Sequence, residues 1–187
     1  MTEKQLPDII NIKKLAKTRL FKIEQVDLKF SNGEERSFER LVSNKQSVII
    51  AALADSNTII LVREYATGTN RYELALPKGL VETTEDIVTG ANRELQEEVG
   101  FAAREIVTIR TLTLAPNYMS HKTLLVLARD LIPSKLPGDE PEKLEVVYYD
   151  LNKIDDLITN DEISEARSIA GIYLIKNYLL KESLNHC

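Results

Sequence analysis

Residues 79–101 read GLVETTEDIVTGANRELQEEVGF, and this segment decides the fold. Between residues 87 and 99 its apolar side chains recur at helical spacing, which predicts an amphipathic helix. The expected core face of that helix consists of Val88, Ala91, Leu95 and Val99. Gly100 is expected to end the helix, because glycine readily takes the left-handed conformation of a C-terminal cap.

Acidic side chains border this predicted apolar face. Glu94 and Glu98 lie one turn apart on a stripe beside the core, with Glu97 to one side. Like charges at this spacing repel, and more strongly when partly desolvated, so a cation is expected between them. Oxygen ligands suit Mg²⁺, with Mn²⁺ as a substitute, and the lack of a Cys or His cluster argues against structural zinc. Arg93 is expected to hold Glu97 or Glu85 by a bidentate ion pair.

A bare acidic run is more often a solvated helix face, so the spacing of the whole segment has to decide. That spacing resembles the Nudix box, Gly-x5-Glu-x7-Arg-Glu-U-x-Glu-Glu-x-Gly-U, in which U is apolar. A match at a given start has a chance on the order of one in 10⁹. Every fixed position of the box is present: Gly79, Glu85, Arg93, Glu94, Leu95, Glu97, Glu98, Gly100 and Phe101.

The resemblance to the Nudix family implies an α/β fold, an α/β/α sandwich whose loop-helix-loop binds divalent metal on the pyrophosphate of a substrate. The implied metal ligands are Glu94, Glu98, Glu97 and the carbonyl of Gly79. Of these, Glu97 is either a further ligand or a catalytic group that positions the ligands. Arg93 and Glu85 would brace the carboxylates.

Shorter stretches are similar to the ADP-ribose pyrophosphatase branch, and within it to bacterial ADP compounds hydrolases of the NudE type. They are residues 18–21, 30–33, 62–66, 77–80, 115–118, 138–142 and 165–167. The implied reaction is Mg²⁺-dependent hydrolysis of ADP-ribose, NADH or diadenosine polyphosphates with release of AMP. One departure is the pair Thr83-Thr84, which stands where Asp-Pro-Gly is common.

A loop at residues 133–143 carries three prolines and several acids, which predicts an exposed connection able to reach over a site. In ADP-ribose pyrophosphatases the general base comes from the equivalent loop, so the resemblance makes Glu140 and Glu142 the candidates. The alternative is that both only solvate the loop.

Three further residues are candidates for substrate contacts. Arg63 and Glu64, at the end of a predicted strand, would hold the adenine side of the substrate or a terminal phosphate. The alternative for them is an edge-strand ion pair of little consequence. Tyr118, in the loop at residues 116–121, is a candidate for stacking on a base.

The remaining pattern indicates mixed α/β layers. A hairpin turning at Asn32-Gly33 comes first, and a helix capped by Ser164 comes last. Strands are predicted at residues 47–53, 58–62, 72–76, 106–115, 122–131 and 144–151. Residues 1–45 are expected to form a strand extension and residues 46–187 the Nudix domain.

The extension is expected to form a homodimer and to help complete the partner's nucleotide pocket. A two-stranded hairpin is marginal alone and needs a second surface, and ADP-ribose pyrophosphatases commonly pair through such a region. The alternative is that the hairpin folds onto its own core.

Bulk properties limit the partners. The formal net charge of −5 offers no basic field for a nucleic-acid polymer, which also argues against a 5′-triphosphorylated RNA substrate. The single cysteine, Cys187, excludes an intrachain disulfide, and neither an export signal nor a membrane span is apparent, so a cytoplasmic enzyme is expected. Two alternatives to the implied reaction stay open: a non-catalytic module that senses ADP-ribose or NAD, and a Nudix hydrolase of another nucleotide such as a sugar nucleotide.

Overall fold

The computed structural model describes residues 4–43 and 45–185, so Cys187 lies outside the described residues. The chain divides into two compact units. The first comprises Met1–Lys45 and Thr113–Lys122, and the second comprises Gln46–Leu112 and Thr123–Cys187. The loop at residues 113–122, which the sequence pattern assigned to the Nudix domain, thus belongs to the first unit.

The first unit contains a three-stranded antiparallel sheet in the order β1-β2-β3. Its strands are β1 (Asp8–Lys17), β2 (Lys22–Lys29) and β3 (Glu35–Val42). The predicted hairpin of β2 and β3 is confirmed, and Gly33 takes a φ of +86° in its turn. Strand β1 was not predicted, because all ten of its residues are exposed and it shows no one-sided apolar pattern.

The second unit is built on a seven-stranded mixed sheet in the order β10-β5-β4-β9-β8, with β6 paired to β5 and β7 to β4. Only β4 and β9 run parallel among the pairs whose register is defined in the described residues. The strands are β4 (Ser47–Leu53), β5 (Thr58–Ala66), β6 (Arg71–Ala75), β7 (Lys78–Leu80), β8 (Phe101–Thr113), β9 (Lys122–Pro133) and β10 (Glu145–Asp150).

Helices cover both faces of this sheet. They are α1 (Ile87–Glu98), α2 (Ile154–Thr159) and α3 (Ala166–Asn185), with a 3₁₀ turn at Leu151–Lys153. Alternate residues of β4 point to opposite faces. Ile49 packs in the core that contains α2 and α3, whereas Ile50 packs in the core that contains α1. The predicted α/β/α sandwich is therefore confirmed.

Helix α1 begins at the predicted residue 87 and ends at Glu98, one residue before the predicted end, and it has a defined start. The Asp86 carboxylate accepts a hydrogen bond from Thr89 N–H at 2.7 Å, and Gly100 follows the helix with a φ of +91°. Leu95 is fully buried, but Val88 is 45% exposed, so its assignment to the core face was wrong. The stripe that is buried also includes Glu94, which shifts its centre away from Val88.

A short strand that was not predicted follows Pro77, since residues 78–80 form β7 against β4 and the Pro77 carbonyl accepts from Ile50 N–H at 2.8 Å. The predicted cap of the last helix was wrong. The last helix is capped by Glu165 and not by Ser164, since the Glu165 carboxylate accepts from Ser168 N–H at 2.8 Å. No helix within the described residues is long and apolar enough to cross a membrane.

Substitution of Leu95 by Asp is expected to lower the free energy of unfolding by more than about 3 kcal/mol, because it buries an unpaired carboxylate. Val88→Asp, on the same helix but exposed, is the matched control and should change it by less than about 1 kcal/mol. Urea denaturation followed by circular dichroism measures both. Equal effects of the two substitutions would contradict the packing of α1.

Candidate active site

Two glutamates of α1 point into the sandwich beside the strands. Glu94 and Glu98 are only 9% and 5% exposed. Strand β7 supplies a polar partner, because Lys78 N–H donates to Glu98 Oε2 at 3.1 Å. The predicted stripe of carboxylates at the edge of the core is therefore present.

Gly79 allows β7 to approach α1 closely. A Cβ built on Gly79 would collide with the carboxylate of Glu94, so this position accepts only glycine without displacing that side chain. The geometry brings the Gly79 backbone and the Glu94 carboxylate together, as expected for two members of one ligand set.

Arg93 connects the acidic groups of the box. Its Nε and Nη2 donate to the Glu85 carboxylate at 2.8 and 3.0 Å, which is the predicted bidentate pair. Its Nη1 also donates to Glu97 Oε2 at 2.7 Å and to Glu94 Oε1 at 2.9 Å. The sequence had left Glu97 and Glu85 as alternatives, and Arg93 binds both.

Burial and charge set the electrostatics of the site. Burial raises the pKa of Glu98 to about 8, although the charge and the backbone N–H of Lys78 act in the opposite direction. Burial likewise raises the pKa of Glu94, whereas the hydrogen bonds from Arg93 lower the pKa of Glu85. Glu94 and Glu98 are therefore carboxylates whose charged form needs a nearby cation.

A divalent cation fits the donor chemistry of the site. In the part of the chain that is described, no group of three or more His, Cys, Asp or Glu side chains is already arranged around one point. Arg93 engages one oxygen each of Glu94 and Glu97, and Glu98 adds a buried carboxylate. Carboxylate oxygens and a backbone carbonyl suit a hard cation better than zinc.

Lys78 and Glu64 extend the site onto β5. The Lys78 ammonium donates to Glu64 Oε2 at 2.8 Å, and the charge of Glu64 contributes to raising the pKa of Glu98. Glu64, predicted as a substrate contact, thus lies beside the candidate metal ligands. Lys78 was not predicted as a site residue, and its position directly before the first glycine of the box was the available signal.

Arg63 is engaged in an ion pair. Its Nε donates to Glu145 Oε2 at 3.1 Å on β10, which is the alternative that the sequence had left open. The strand is not an edge strand, however, because β5 pairs with β10, β4 and β6. A role of Arg63 in substrate binding stays a prediction.

The acidic loop at residues 134–144 reaches the end of α1. The Glu140 carboxylate lies against Gly138, and a Cβ on Gly138 would be 3.5 Å from the Glu97 carbonyl. Asp139 was not a predicted site residue, yet its charge contributes to raising the pKa of Glu94. The loop thus brings Asp139 within electrostatic range of Glu94 and places Glu140 near the C-terminal end of α1.

The other acid of this loop has a different partner. Glu142 Oε1 accepts a hydrogen bond from the Tyr72 hydroxyl on β6 at 2.7 Å. Sequence reasoning treated Glu140 and Glu142 alike, whereas the structure separates them.

Tyr118 belongs to the first unit and is 56% exposed. It borders a cavity of about 240 Å³ whose lining includes Phe38, Arg40 and apolar residues of β1 and β2. The Nε of Arg40 is buried and has no hydrogen-bond partner within the described residues. The rings of Tyr118 and Phe38 thus form aromatic walls of this cavity.

Comparisons with known proteins cover nearly the whole chain. The profile of the NudE-type Nudix hydrolase N-terminal domain matches residues 7–40, and the profile of the NUDIX domain matches residues 43–170. The ADP compounds hydrolase NudE of Escherichia coli (strain K12) is 43% identical over 176 residues, which is 94% of each chain.

Two further similarities extend this result. An ADP-ribose pyrophosphatase of Bacillus subtilis (strain 168) is 28% identical over 92% of this chain and 95% of its own length. A crystal structure of an ADP compounds hydrolase superposes with a TM-score of 0.90 at 42% identity, covering 97% of this chain and 98% of that one.

Gly79→Ala is expected to reduce affinity for Mn²⁺ at least about tenfold, because the added methyl displaces the Glu94 carboxylate from its place beside β7. The melting temperature should change little, since only the end of a side chain has to move. Gly68→Ala is the matched control, because a Cβ there meets nothing within 4 Å. Calorimetric titration with Mn²⁺ measures the affinity, and unaltered binding by Gly79→Ala would argue against this ligand set.

Proposed function

The chain belongs to the Nudix hydrolase family, and on that premise we propose that it hydrolyses the pyrophosphate bond of ADP-containing nucleotides and releases AMP. The substrates proposed are ADP-ribose, NADH and diadenosine polyphosphates. One observation carries the proposal: the complete box is assembled around Arg93, with Glu94 and Glu98 buried against β7. The 43% identity to a relative named ADP compounds hydrolase supports the substrate class.

The residues of the box have different proposed roles in catalysis. Glu94, Glu98 and the Gly79 carbonyl would hold Mg²⁺, with Mn²⁺ as a substitute, which when bound neutralises the diphosphate and stabilises charge on the leaving group. Arg93 holds Glu97 and Glu85 at fixed positions, so the carboxylates need little rearrangement.

An acid of the loop at residues 134–144 would accept the proton of the attacking water. Glu140 and Asp139 are the acids of this loop that approach the box. General-base catalysis requires such proximity before it requires a tuned pKa.

Tyr118 is proposed to stack on the base of the nucleotide. Its side chain is 56% exposed, so a face of the ring is open to a flat aromatic ligand such as adenine.

The alternatives of a sensing module and of another nucleotide substrate are less well supported. A module without turnover would not need every acid of the box, and here each acid is present and braced. A sugar nucleotide shares the pyrophosphate chemistry, so only a comparison of substrates separates it. A cytoplasmic location remains a prediction.

We also propose a homodimer formed through the first unit. Four apolar side chains of β1 are between 41% and 57% exposed: Ile9, Ile10, Ile12 and Leu15. Several exposed apolar side chains on one strand are typical of an element that is covered in the assembly. In the proposed dimer the N-terminal strands pack against the partner and help complete its nucleotide pocket.

The intact protein is expected to release AMP from ADP-ribose, NADH and diadenosine triphosphate only when Mg²⁺ is added, with UDP-glucose cleaved far more slowly. Glu98→Gln should lower kcat at least about a hundredfold, since it removes one charge of the ligand set at nearly constant shape. Chromatographic quantification of AMP measures these rates.

Glu82→Gln, in the exposed loop before α1, is the control for this substitution and should leave kcat unchanged. Full turnover by Glu98→Gln at saturating Mg²⁺ would refute the site assignment. A preference for UDP-glucose over every ADP compound would refute the substrate class.

Sedimentation velocity at micromolar concentration is expected to show a dimer for the intact protein and a monomer for the variant Ile10→Lys, Ile12→Lys. Charges at these exposed apolar positions oppose burial against a partner. The variant Lys13→Gln, Lys14→Gln alters exposed polar positions of the same strand and should stay dimeric. A monomeric intact protein, or a dimer that survives in both variants, contradicts this interface.

A further inference from the structure

The acidic loop is fastened to α1 at its beginning. Ser134 N–H donates to the Gly100 carbonyl at 3.0 Å, and the Lys135 ammonium donates to the Glu97 carbonyl. These contacts attach the first residues of the loop to α1 and to Gly100, which follows it. They leave the later residues, from position 139 onward, to be held by something else.

The end of the loop is fastened to β6. The Tyr72 hydroxyl donates to Glu142 Oε1 at 2.7 Å, and two residues later Leu144 is buried in the core that contains α1. The nearby carboxylate raises the pKa of Tyr72, so the phenol keeps its proton at neutral pH and acts as the donor. Asp139 and Glu140 lie between these two points of attachment.

The Tyr72 ring is itself held in place. Tyr65 lies directly opposite on β5, and the two rings meet edge to face with their centroids 5.7 Å apart. The Tyr65 hydroxyl donates to Asn70 Oδ1 at 2.8 Å in the turn between the strands. Because ring contacts restrict both side chains, the Tyr72 hydroxyl is presented to the loop at a defined point.

We propose that Tyr72 is a positioning residue that tethers the acidic loop through Glu142 and thereby keeps Asp139 near Glu94 and Glu140 near the C-terminal end of α1. Glu142 is then a tether and not the general base. This inference deepens the proposed hydrolase function and rests on it for its kinetic test.

The kinetic test compares substitutions that remove the tether with one that preserves it. Tyr72→Phe and Glu142→Ala should each lower kcat about five- to tenfold with little change in KM, as expected for loss of one hydrogen bond that is exposed to solvent. The double variant should be no slower than either single variant, because both remove the same interaction.

Glu142→Gln separates a tether from a base. The amide oxygen of glutamine still accepts a hydrogen bond from Tyr72, but it is not basic enough to take a proton from water. This variant should keep kcat within about threefold and keep the shape of the pH–rate profile. A loss of a hundredfold or more, with the acidic limb of the profile gone, would make Glu142 the base and overturn the proposal.

Tyr65→Phe is the matched control. It removes a hydroxyl from the same ring pair, but the lost bond goes to Asn70 and not to the loop. It should leave kcat unchanged, and an effect equal to that of Tyr72→Phe would overturn the proposal by attributing the loss to the ring pair.

A second readout does not depend on turnover. Limited trypsin digestion of the full chain, followed by mass spectrometry, should show cleavage after Lys143 about fivefold faster in Tyr72→Phe than in the parent protein, because an untethered loop opens more often. Unchanged cleavage overturns the tether even if the protein hydrolyses ADP-ribose. Faster cleavage in a protein that cleaves no ADP compound supports the tether and refutes the proposed function.

Discussion

The burial of two like charges one turn apart on α1 is the constraint on which the rest of the site depends. Desolvation favours the protonated form of Glu94 and Glu98, and their mutual repulsion adds to that effect. Buried charges persist in proteins only when partners are provided. Arg93 donates to Glu94 and Lys78 N–H donates to Glu98, while Gly79 leaves room for the Glu94 carboxylate beside β7.

The sheet makes this arrangement possible. Strand β4 is apolar from Val48 to Leu53 and buried on both faces, so it lies between the core of α1 and the core of α2 and α3. Pairing of β7 with β4 then places the Gly79 backbone directly under α1. A helix whose buried stripe contains carboxylates is tolerated because the backbone of this short strand and one arginine supply hydrogen bonds where a purely apolar surface could not.

The loop after β9 illustrates how fold and chemistry are coupled at a distance in sequence. In the proposed reaction its acidic residues must lie near α1. A proline-rich loop has little secondary structure of its own with which to hold them there. The contacts from α1 at one end and from β6 at the other supply that structure. Residues of two separate elements, α1 and β6, therefore define the position of one short acidic segment.

The sequence by itself was sufficient to predict α1, the Nudix box and the layered α/β fold. These features depend on local periodicity and on one highly specific spacing of residues. The sequence also predicted that Arg93 pairs with acidic side chains of the box, since its partners lie within about one helical turn or in the adjoining loop. It did not indicate β1, whose residues are exposed throughout, or the cap at Glu165.

Tertiary structure alone decided which acids of the loop approach the box and which is tied to Tyr72, a residue seventy positions away. It likewise showed that Glu64 joins Lys78 beside Glu98, where the sequence suggested a substrate contact. These contacts join side chains on different strands and a loop with a helix. Local sequence periodicity does not predict them, because the partners come together only when the sheet and α1 have packed.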